Sequence, residues 1–382
     1  MTIEAQVLSV EQHSCAGTYG LMEVEKRMNN SVPRIAIIGC GAVTEHRYLP
    51  VLAEMGIKPT LLVDINLQRA RKLADAFNAS RISDDYRSQG EFDAAIVASP
   101  HYLHAPVGID LLRRGIHVLV EKPMALAATE CDEMIAAAEE RKAVLAVGLM
   151  RRFIRNAQWV KAALDADLLG PIESFDFREG VIYEWPVASA FFFHKETAGG
   201  GVLIDTGAHT LDLLLWWMGD VASFEYYDDS YGGVEAECEL LLTLASGATG
   251  VVELSRTREL RNTAILRGRR GEIEIGLGGK KYVAANPKEI LAYTNGTVRS
   301  DPQLQQLYSE LFPLQIKDWL RAIETRATPF VPGTVAARSV ALIEACYKQR
   351  RLLELPWVRP NGRKLKADPT AENEALQIGS RV

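Results

Sequence analysis

The sequence predicts a two-domain protein: an α/β Rossmann domain with a doubly wound parallel sheet, then an α+β domain with a large open, mostly antiparallel sheet. Its 382 residues exceed what one hydrophobic core usually serves. In the first half, short β-branched apolar runs alternate with amphipathic helical patterns, as in βαβ units. From residue 172 onward, alternating apolar and polar runs follow one another at turn signals, which is typical of antiparallel strands.

Composition excludes several classes of protein. A net charge of −6 offers no basic surface for nucleic acid or anionic lipid. The five cysteines are scattered without a CxxC, and the histidines show no HExxH and do not pair with cysteines at zinc spacing, so neither a disulfide framework nor a metal site is expected. No signal peptide and no apolar run of membrane-spanning length is found. We therefore expect a cytoplasmic protein that binds neither nucleic acid nor membrane.

The first element of the Rossmann domain carries most of a dinucleotide-binding fingerprint. Arg34–Ile38 is an apolar, β-branched run that predicts a buried strand. A G-x-G turn follows at once, and a helix is predicted from there, so that its N-terminus faces a pyrophosphate. Thr44 stands at the third glycine position, a departure from the stricter pattern. The candidate cofactor-binding residues of this turn are Gly39, Cys40, Gly41, Ala42 and Val43.

Asp64 ends the second predicted strand and has two interpretations. It lies 25 residues after Gly39, where a carboxylate hydrogen-bonds the hydroxyls of an adenosine ribose. No basic residue follows directly to receive a 2′-phosphate, so NAD is favoured over NADP, although Arg69 is within reach. Alternatively, Asp64 caps a helix over Leu67–Phe77.

Further polar residues follow the next predicted strands. Because the carboxyl ends of parallel strands meet at one edge of the sheet, these residues should share one ligand site. The predicted elements are the strands Phe92–Ala98, His117–Val120 and Ala143–Val147 and the helices Ala105–Arg114 and Ala127–Arg141. The candidate residues at the strand ends are Ser99, Pro100, Glu121 and Lys122.

The second domain is predicted to begin with a helix over Arg151–Leu164 and an antiparallel strand over Ile172–Val181. One face of its sheet should pack on helices, so we expect the other face to form a homodimer or homotetramer. The remaining predicted strands are Ala222–Asp228, Glu235–Ala245, Gly250–Ser255, Thr263–Arg267 and Glu272–Gly276, and the closing helices are Leu304–Thr325 and Gly333–Leu352. The predicted boundaries are an extension at 1–32, the Rossmann domain at 33–150, the second domain at 151–358 and a disordered tail at 359–382.

The stretch Gly199–Gly219, GGGVLIDTGAHTLDLLLWWMG, stands out as a candidate catalytic element. If it is helical, Asp205 and His209 at i and i+4 lie on one face, where they can hold a substrate hydroxyl and take its proton. The glycines, lacking Cβ, would let a ligand approach closely. The alternative is a flexible loop before a buried helix, with His209 as a core histidine.

The chain resembles the glucose–fructose oxidoreductase / inositol dehydrogenase / rhizopine-catabolism (Gfo/Idh/MocA) family. The matching pieces occur in the family's order and cover most of residues 34–352. They are IAIIGCGAVTEHRYLPVL, ASPHYLH, VLVEKPMA, GGGVLIDTGAHTLDLLLWWMG and PFVPGTVAARSVALIEACYKQRR.

The resemblance implies a nicotinamide cofactor between a Rossmann domain and an open-faced sheet domain. It implies that Lys122, Asp205 and His209 form the catalytic group. Glu121 would lie against the nicotinamide ribose and His104 near the nicotinamide. Arg152, His194, Asp205 and His209 are the candidate substrate-binding residues. The arginines within 151–155 and 256–270 either bind a phosphate on a sugar or lie on solvated faces.

The expected function is therefore an NAD(P)-dependent oxidoreductase, with NAD preferred, acting on a secondary alcohol or ketone of a sugar, amino-sugar, nucleotide-sugar or cyclitol. Two alternatives stay open from the resemblance. One is an NAD-dependent glycosidase that uses transient oxidation. The other is a non-catalytic sugar-sensing regulator.

Overall fold

The computed structural model describes residues 32–87, 91–184, 190–230, 233–277, 291–294, 297–299 and 310–353. The expectations for the N-terminal extension up to residue 31, for the tail from residue 359 and for the start of the helix at Leu304 fall outside these ranges.

The first domain is built on a six-stranded parallel sheet with the order β3-β2-β1-β4-β5-β6. The order reverses between β1 and β4, and ligands bind in the crevice at such a reversal, beyond the carboxyl ends of the strands. Strands β1 and β4 are completely buried, which explains their unbroken apolar sequences. The strands are β1 (Ile35–Ile38), β2 (Leu61–Val63), β3 (Ile82–Ser83), β4 (Ala94–Val97), β5 (His117–Val120) and β6 (Leu145–Val147).

The helices of this domain begin and end within about two residues of the predicted bounds. The first begins at Ala42, directly after the glycine turn as predicted, passes through a π-helical turn, Thr44–Tyr48, and continues as α1, Leu49–Glu54. The others are α2 (Leu67–Phe77), α3 (His104–Arg113) and α4 (Ala128–Arg141).

The prediction of one continuous helix over Arg151–Leu164 is wrong, because the helix is interrupted near its start. A 3₁₀ turn, Met150–Phe153, is followed by α5, Arg155–Asp165, and the extended backbone of Ile154 separates them. With only three residues per turn, neighbouring side chains in such a turn point in widely different directions.

The second domain contains a nine-stranded sheet with the order β14-β13-β12-β11-β7-β10-β9-β8-β15. Six of the eight pairings are antiparallel, but β7 pairs parallel with β10 and β15 pairs parallel with β8. The prediction of an antiparallel strand at Ile172 is thus correct on one side of β7 only. The strands are β7 (Ile172–Gly180), β8 (Val221–Asp228), β9 (Glu237–Leu244), β10 (Thr249–Ser255), β11 (Thr263–Gly268), β12 (Gly271–Gly276), β13 (Leu291–Thr294), β14 (Thr297–Arg299) and β15 (Arg351–Leu352).

One face of this sheet packs on a long helix, α7, Val202–Met218, which follows the short helix α6, Lys195–Ala198. Leu211 and Leu214 of α7 share a fully buried core with Phe177, Leu240 and Val252 of the sheet. The apolar run after the glycines is therefore helical because it is buried against a sheet.

Helices α8, Leu311–Thr325, and α9, Gly333–Lys348, close the described chain. The last helix is four residues shorter than predicted, since Arg351–Leu352 forms the edge strand β15 instead.

The opposite face of the large sheet is partly exposed. Leu241 is 41% exposed there and is paired in register with Val251. Within the described ranges we find no helix that combines the length and apolar character needed to span a bilayer.

Candidate functional site

A cavity of about 670 Å³ lies at the carboxyl ends of the parallel strands and reaches α7 of the second domain. Every predicted cofactor-binding residue except Cys40 lines it, and so do the three predicted catalytic residues. Its lining includes Gly39, Gly41, Ala42, Val43, Asp64, Ser99, Pro100, His101, His104, Glu121, Lys122, Arg151, Tyr183, Phe191, Phe192, Asp205 and His209.

The glycine turn is shaped by close backbone packing on one side and open space on the other. Gly39 has φ +100°, and a Cβ there would lie 2.4 Å from the carbonyl oxygen of Ala98. A Cβ on Gly41 would meet nothing within 4 Å, so a ligand can approach this backbone. Thr44, at the third glycine position, is buried and donates a hydrogen bond to the Gly39 carbonyl (2.6 Å), which ties the helix to the turn.

Asp64 is fixed at the end of β2 with its carboxylate in the cavity. One oxygen accepts a hydrogen bond from the Cys40 amide (2.8 Å) and the other from the Asn66 amide (2.7 Å). The side chain of Asn66, and not Asp64, caps α2 by accepting from the Arg69 amide (3.0 Å). The alternative role of Asp64 as a helix cap is therefore wrong.

Two buried groups line the middle of the cavity. Both ring nitrogens of His104 lie at hydrogen-bond distance from a backbone carbonyl oxygen, that of Pro123 (2.7 Å) and that of Ser99 (2.8 Å). Burial lowers the pKa of the ring, and a neutral imidazole has one N–H, so it donates to one of the two carbonyls. Glu121 accepts a hydrogen bond from the Tyr48 hydroxyl (2.6 Å), and burial raises the pKa of its carboxyl group.

Lys122 and Asp205 meet across the two domains. The ammonium of Lys122 donates to Oδ1 of Asp205 and to its carbonyl oxygen. The other carboxylate oxygen, Oδ2, accepts from Arg256 (2.8 Å), whose side chain is 11% exposed. Burial opposes ionisation of Asp205, but the charges of Lys122 and Arg256 outweigh it and hold its pKa far below the usual value. Asp205 is thus an ionised carboxylate with both oxygens engaged by cations.

His209 lies one turn after Asp205 on α7, faces the cavity and is 6% exposed. Its Nδ1 is buried and has no hydrogen-bond partner among the described residues. Burial lowers the pKa of the ring well below its usual value, and the nearby charges of Arg151 and Lys122 lower it further. His209 is therefore held in its neutral form, in which one ring nitrogen carries a lone pair.

The three glycines before α7 make room for the protein's own groups. A Cβ on Gly200 would lie 2.0 Å from the Tyr347 hydroxyl oxygen, and one on Gly201 would lie 1.8 Å from the Glu235 carbonyl oxygen. The buried carboxylate of Glu235 accepts from the Leu203 amide (2.9 Å) in the first turn of α7 and from the Tyr347 hydroxyl (2.8 Å). The prediction that these glycines admit a ligand needs correction, because the space beside Gly200 and Gly201 is filled by protein that anchors the helix.

Two predicted substrate-binding residues do not line the cavity. Arg152 is buried in a two-bond pair with Asp212 (2.7 and 2.8 Å). His194 is exposed and lies outside the lining. Arg151 lines the cavity instead, in a two-bond pair with Glu179 (2.7 and 2.6 Å). The two arginines are neighbours within the 3₁₀ turn Met150–Phe153, and of the two only Arg151 lines the cavity.

Cys40 does not line the cavity: its side chain is buried, and its amide donates a hydrogen bond to Asp64. Sequence reasoning further missed the cavity residues His101, Tyr183, Phe191 and Phe192 and the carboxylate partner Arg256. Arg256 stands 51 residues from Asp205, and the signal in the sequence was only an arginine-rich stretch.

Two family comparisons cover most of the chain. Residues 33–149 match the oxidoreductase family with an NAD-binding Rossmann fold, and residues 161–352 match that oxidoreductase family's C-terminal alpha/beta domain. The chain belongs to this Gfo/Idh/MocA family. The predictions of the family, of a Rossmann domain, of an oxidoreductase and of an NAD cofactor are thereby confirmed.

Among curated relatives, the chain is similar to the rhizopine catabolism protein MocA of Rhizobium meliloti, with 25% identity over 58% of this chain and 71% of the relative. It is also similar to D-glucoside 3-dehydrogenase of Escherichia coli K12, with 29% identity over 51% of this chain and 57% of the relative. The second alignment thus spans a little over half of the dehydrogenase.

Among solved structures, the fold is similar to the WlbA dehydrogenase of Chromobacterium violaceum in complex with NADH and UDP-GlcNAcA. The TM-score is 0.72, with 22% identity over 84% of this chain and 94% of the other. A levoglucosan dehydrogenase in complex with NADH and levoglucosan gives a TM-score of 0.69, with 20% identity over 82% and 96%. At sequence identities of 22% and 20%, the similarity to these two structures establishes the fold alone.

Proposed function

We propose that the protein transfers a hydride between NAD and a secondary alcohol or ketone of a sugar, amino-sugar, nucleotide-sugar or cyclitol. The observation that carries the proposal is one cavity with a glycine turn and Asp64 at one end and Lys122, Asp205 and His209 at the other. The relatives named for a glucoside and for levoglucosan support a sugar-like substrate.

The residues present fit a dinucleotide. The backbone at Gly41 is open to the cavity, as close approach of a pyrophosphate requires. Each oxygen of Asp64 accepts one backbone hydrogen bond, which leaves acceptor capacity for ribose hydroxyls. We propose that Ser99 and Glu121, which line the same cavity, would hold the nicotinamide half. When bound, the cofactor accepts or supplies the hydride.

The proposed catalytic roles follow from the charge states. The neutral imidazole of His209 takes the hydroxyl proton of the substrate. Lys122, held by Asp205, donates a hydrogen bond to the substrate oxygen and stabilises the negative charge that develops there. Asp205 orients the lysine and does not act as the base, since its pKa is low and both of its oxygens are engaged.

The test is His209→Ala, with His194→Ala as the matched control because His194 is exposed outside the cavity. Substrates are found by screening sugars, cyclitols and nucleotide-sugars for NAD reduction by absorbance. His209→Ala should lower kcat on the order of a hundredfold or more and leave the NADH dissociation constant nearly unchanged. Full turnover with a lower melting temperature would make His209 a core residue. Release of an aglycone without net NADH would instead indicate transient oxidation.

We further propose a homodimer or homotetramer in the cytoplasm, assembled through the outer face of the large sheet. The exposed Leu241 beside Val251 supports this interface. Four described cysteines are free and buried, as suits a reducing compartment. Light scattering that shows a stable monomer at micromolar concentration would contradict the assembly.

A further inference from the structure

Two phenylalanines form an apolar wall in the cavity that the proposed reaction does not use. Phe191 and Phe192 lie on a 3₁₀ turn, Ala190–Phe193, with their ring centroids 4.0 Å apart. Both are half-buried and line the cavity that holds the catalytic group. The wall therefore presents aromatic surface to a bound molecule.

The wall is fixed from the Rossmann side by His101. Both phenylalanine rings meet the imidazole edge-to-face, with centroids at 5.2 and 5.6 Å. His101 is itself buried and is held through Nδ1 by the carbonyl oxygen of Ala198 (2.8 Å). Burial lowers the pKa of His101 to about 3, so the support of the wall is neutral. A rigid aromatic surface of this kind binds apolar groups with little loss of side-chain freedom.

The cations at this end of the cavity already have carboxylate partners. Lys122 is paired with Asp205, and both terminal nitrogens of Arg151 bond Glu179. The remaining arginines of the described lining, Arg47 and Arg69, belong to the first and second helices, beside the glycine turn and Asp64. A phosphate group on the substrate would thus compete with existing ion pairs at the catalytic end, whereas an uncharged group meets no such cost.

We propose that the substrate is a neutral glycoside whose apolar aglycone packs on Phe191 and Phe192 while a ring hydroxyl reaches Lys122 and His209. This inference rests on the proposed function and narrows its substrate class. Each methylene or equivalent apolar group buried on the wall should tighten binding about fourfold. A nucleotide-sugar should bind more weakly than a phenyl glycoside of the same sugar.

The experiment measures binding to the enzyme–NADH complex by calorimetry, so that it does not depend on turnover. The probes are the methyl and phenyl glycosides of glucose, galactose and mannose, together with UDP-glucose. At least one phenyl glycoside should bind tenfold or more tightly than its methyl counterpart, and UDP-glucose should bind more weakly than phenyl glucoside. Phe191→Ala/Phe192→Ala should abolish the phenyl advantage with less than a twofold change in the dissociation constant of NADH.

The subsite would be overturned if no phenyl glycoside bound more tightly than its methyl counterpart, if UDP-glucose bound more tightly than phenyl glucoside, or if the double variant kept the same phenyl advantage. A parallel loss of NADH affinity would also overturn it, because the rings would then contact the cofactor. If the phenyl advantage is found but no glycoside reduces NAD, the subsite stands and the proposed oxidoreduction fails.

Discussion

Arg256→Gln tests whether Asp205 works as a clamped anion that positions Lys122. The guanidinium of Arg256 donates to Asp205 Oδ2 (2.8 Å) and to the Gly201 carbonyl (3.1 Å), and it stacks on Tyr183 with 5.0 Å to the ring centroid. A hydrogen bond to a charged group is worth about 1.5–3 kcal/mol. If the variant loses this interaction energy in the transition state, kcat falls roughly 10- to 100-fold.

The same substitution should change the pH profile. Arg256 and Lys122 keep the pKa of Asp205 low, so the ionised carboxylate persists into acid. Removing one cation raises that pKa, and the acid limb of kcat should move to higher pH. Arg256→Lys keeps a positive charge at this position, so it should recover part of kcat and move the acid limb of kcat part of the way back to lower pH.

The assay compares kcat, KM, the NADH dissociation constant and the melting temperature from acid to neutral pH. Arg258→Gln is the matched control, since it removes a guanidinium paired with Glu237 and Glu253 two residues along the same loop. An unchanged kcat and acid limb in Arg256→Gln, with only a lower melting temperature, would refute the positioning role.

Three further predictions follow from single contacts. Gly200→Ala should lower the free energy of unfolding measured in urea by about 1–3 kcal/mol, because the added Cβ would meet the Tyr347 hydroxyl oxygen. Gly41→Ala should leave that free energy unchanged and weaken NADH binding. An equal loss of stability in both variants would contradict this prediction. Asp64 should repel a 2′-phosphate, so NADPH should bind at least tenfold more weakly than NADH in a fluorescence titration, and equal affinity would reject the assignment. The lowered pKa of His209 keeps it neutral, so kcat for oxidation should show no ionisation near pH 6.5; an inflection there that disappears in His209→Gln would show the reverse.

The nucleotide half of the site could be predicted because its signals are local. The strand β1, the turn at Gly39 and Gly41 and the carboxylate at Asp64 follow one another within about thirty residues, and parallel strands deliver their ends to one edge. The placement of Asp205 and His209 on one face of a helix could be predicted for the same reason, through their i, i+4 spacing.

The charged partners could not be predicted, because they come from distant positions. Glu179 pairs with Arg151 across 28 residues and Asp212 with Arg152 across 60. In the sequence both arginines belong to one basic run, and in the structure both are buried, but only Arg151 lines the cavity. Arg152 fits neither of the two interpretations given for the arginine-rich stretch, a phosphate-binding role or a solvated face. The local sequence pattern could not reveal this.

The contact between Lys122 and Asp205 joins residues of both domains in the candidate site. The lysine follows β5 of the Rossmann sheet, and the aspartate lies in the first turn of α7, 83 residues later. Glu235 and Tyr347 anchor that turn, and Arg256 fixes the far oxygen of the carboxylate, so Lys122 is set against a rigid partner. A catalytic lysine on a flexible stem loses less freedom in reaching the transition state when its counter-ion is already fixed. In the proposed mechanism, the anchoring of α7 therefore supports the chemistry by fixing the partner of Lys122 and not by touching the substrate.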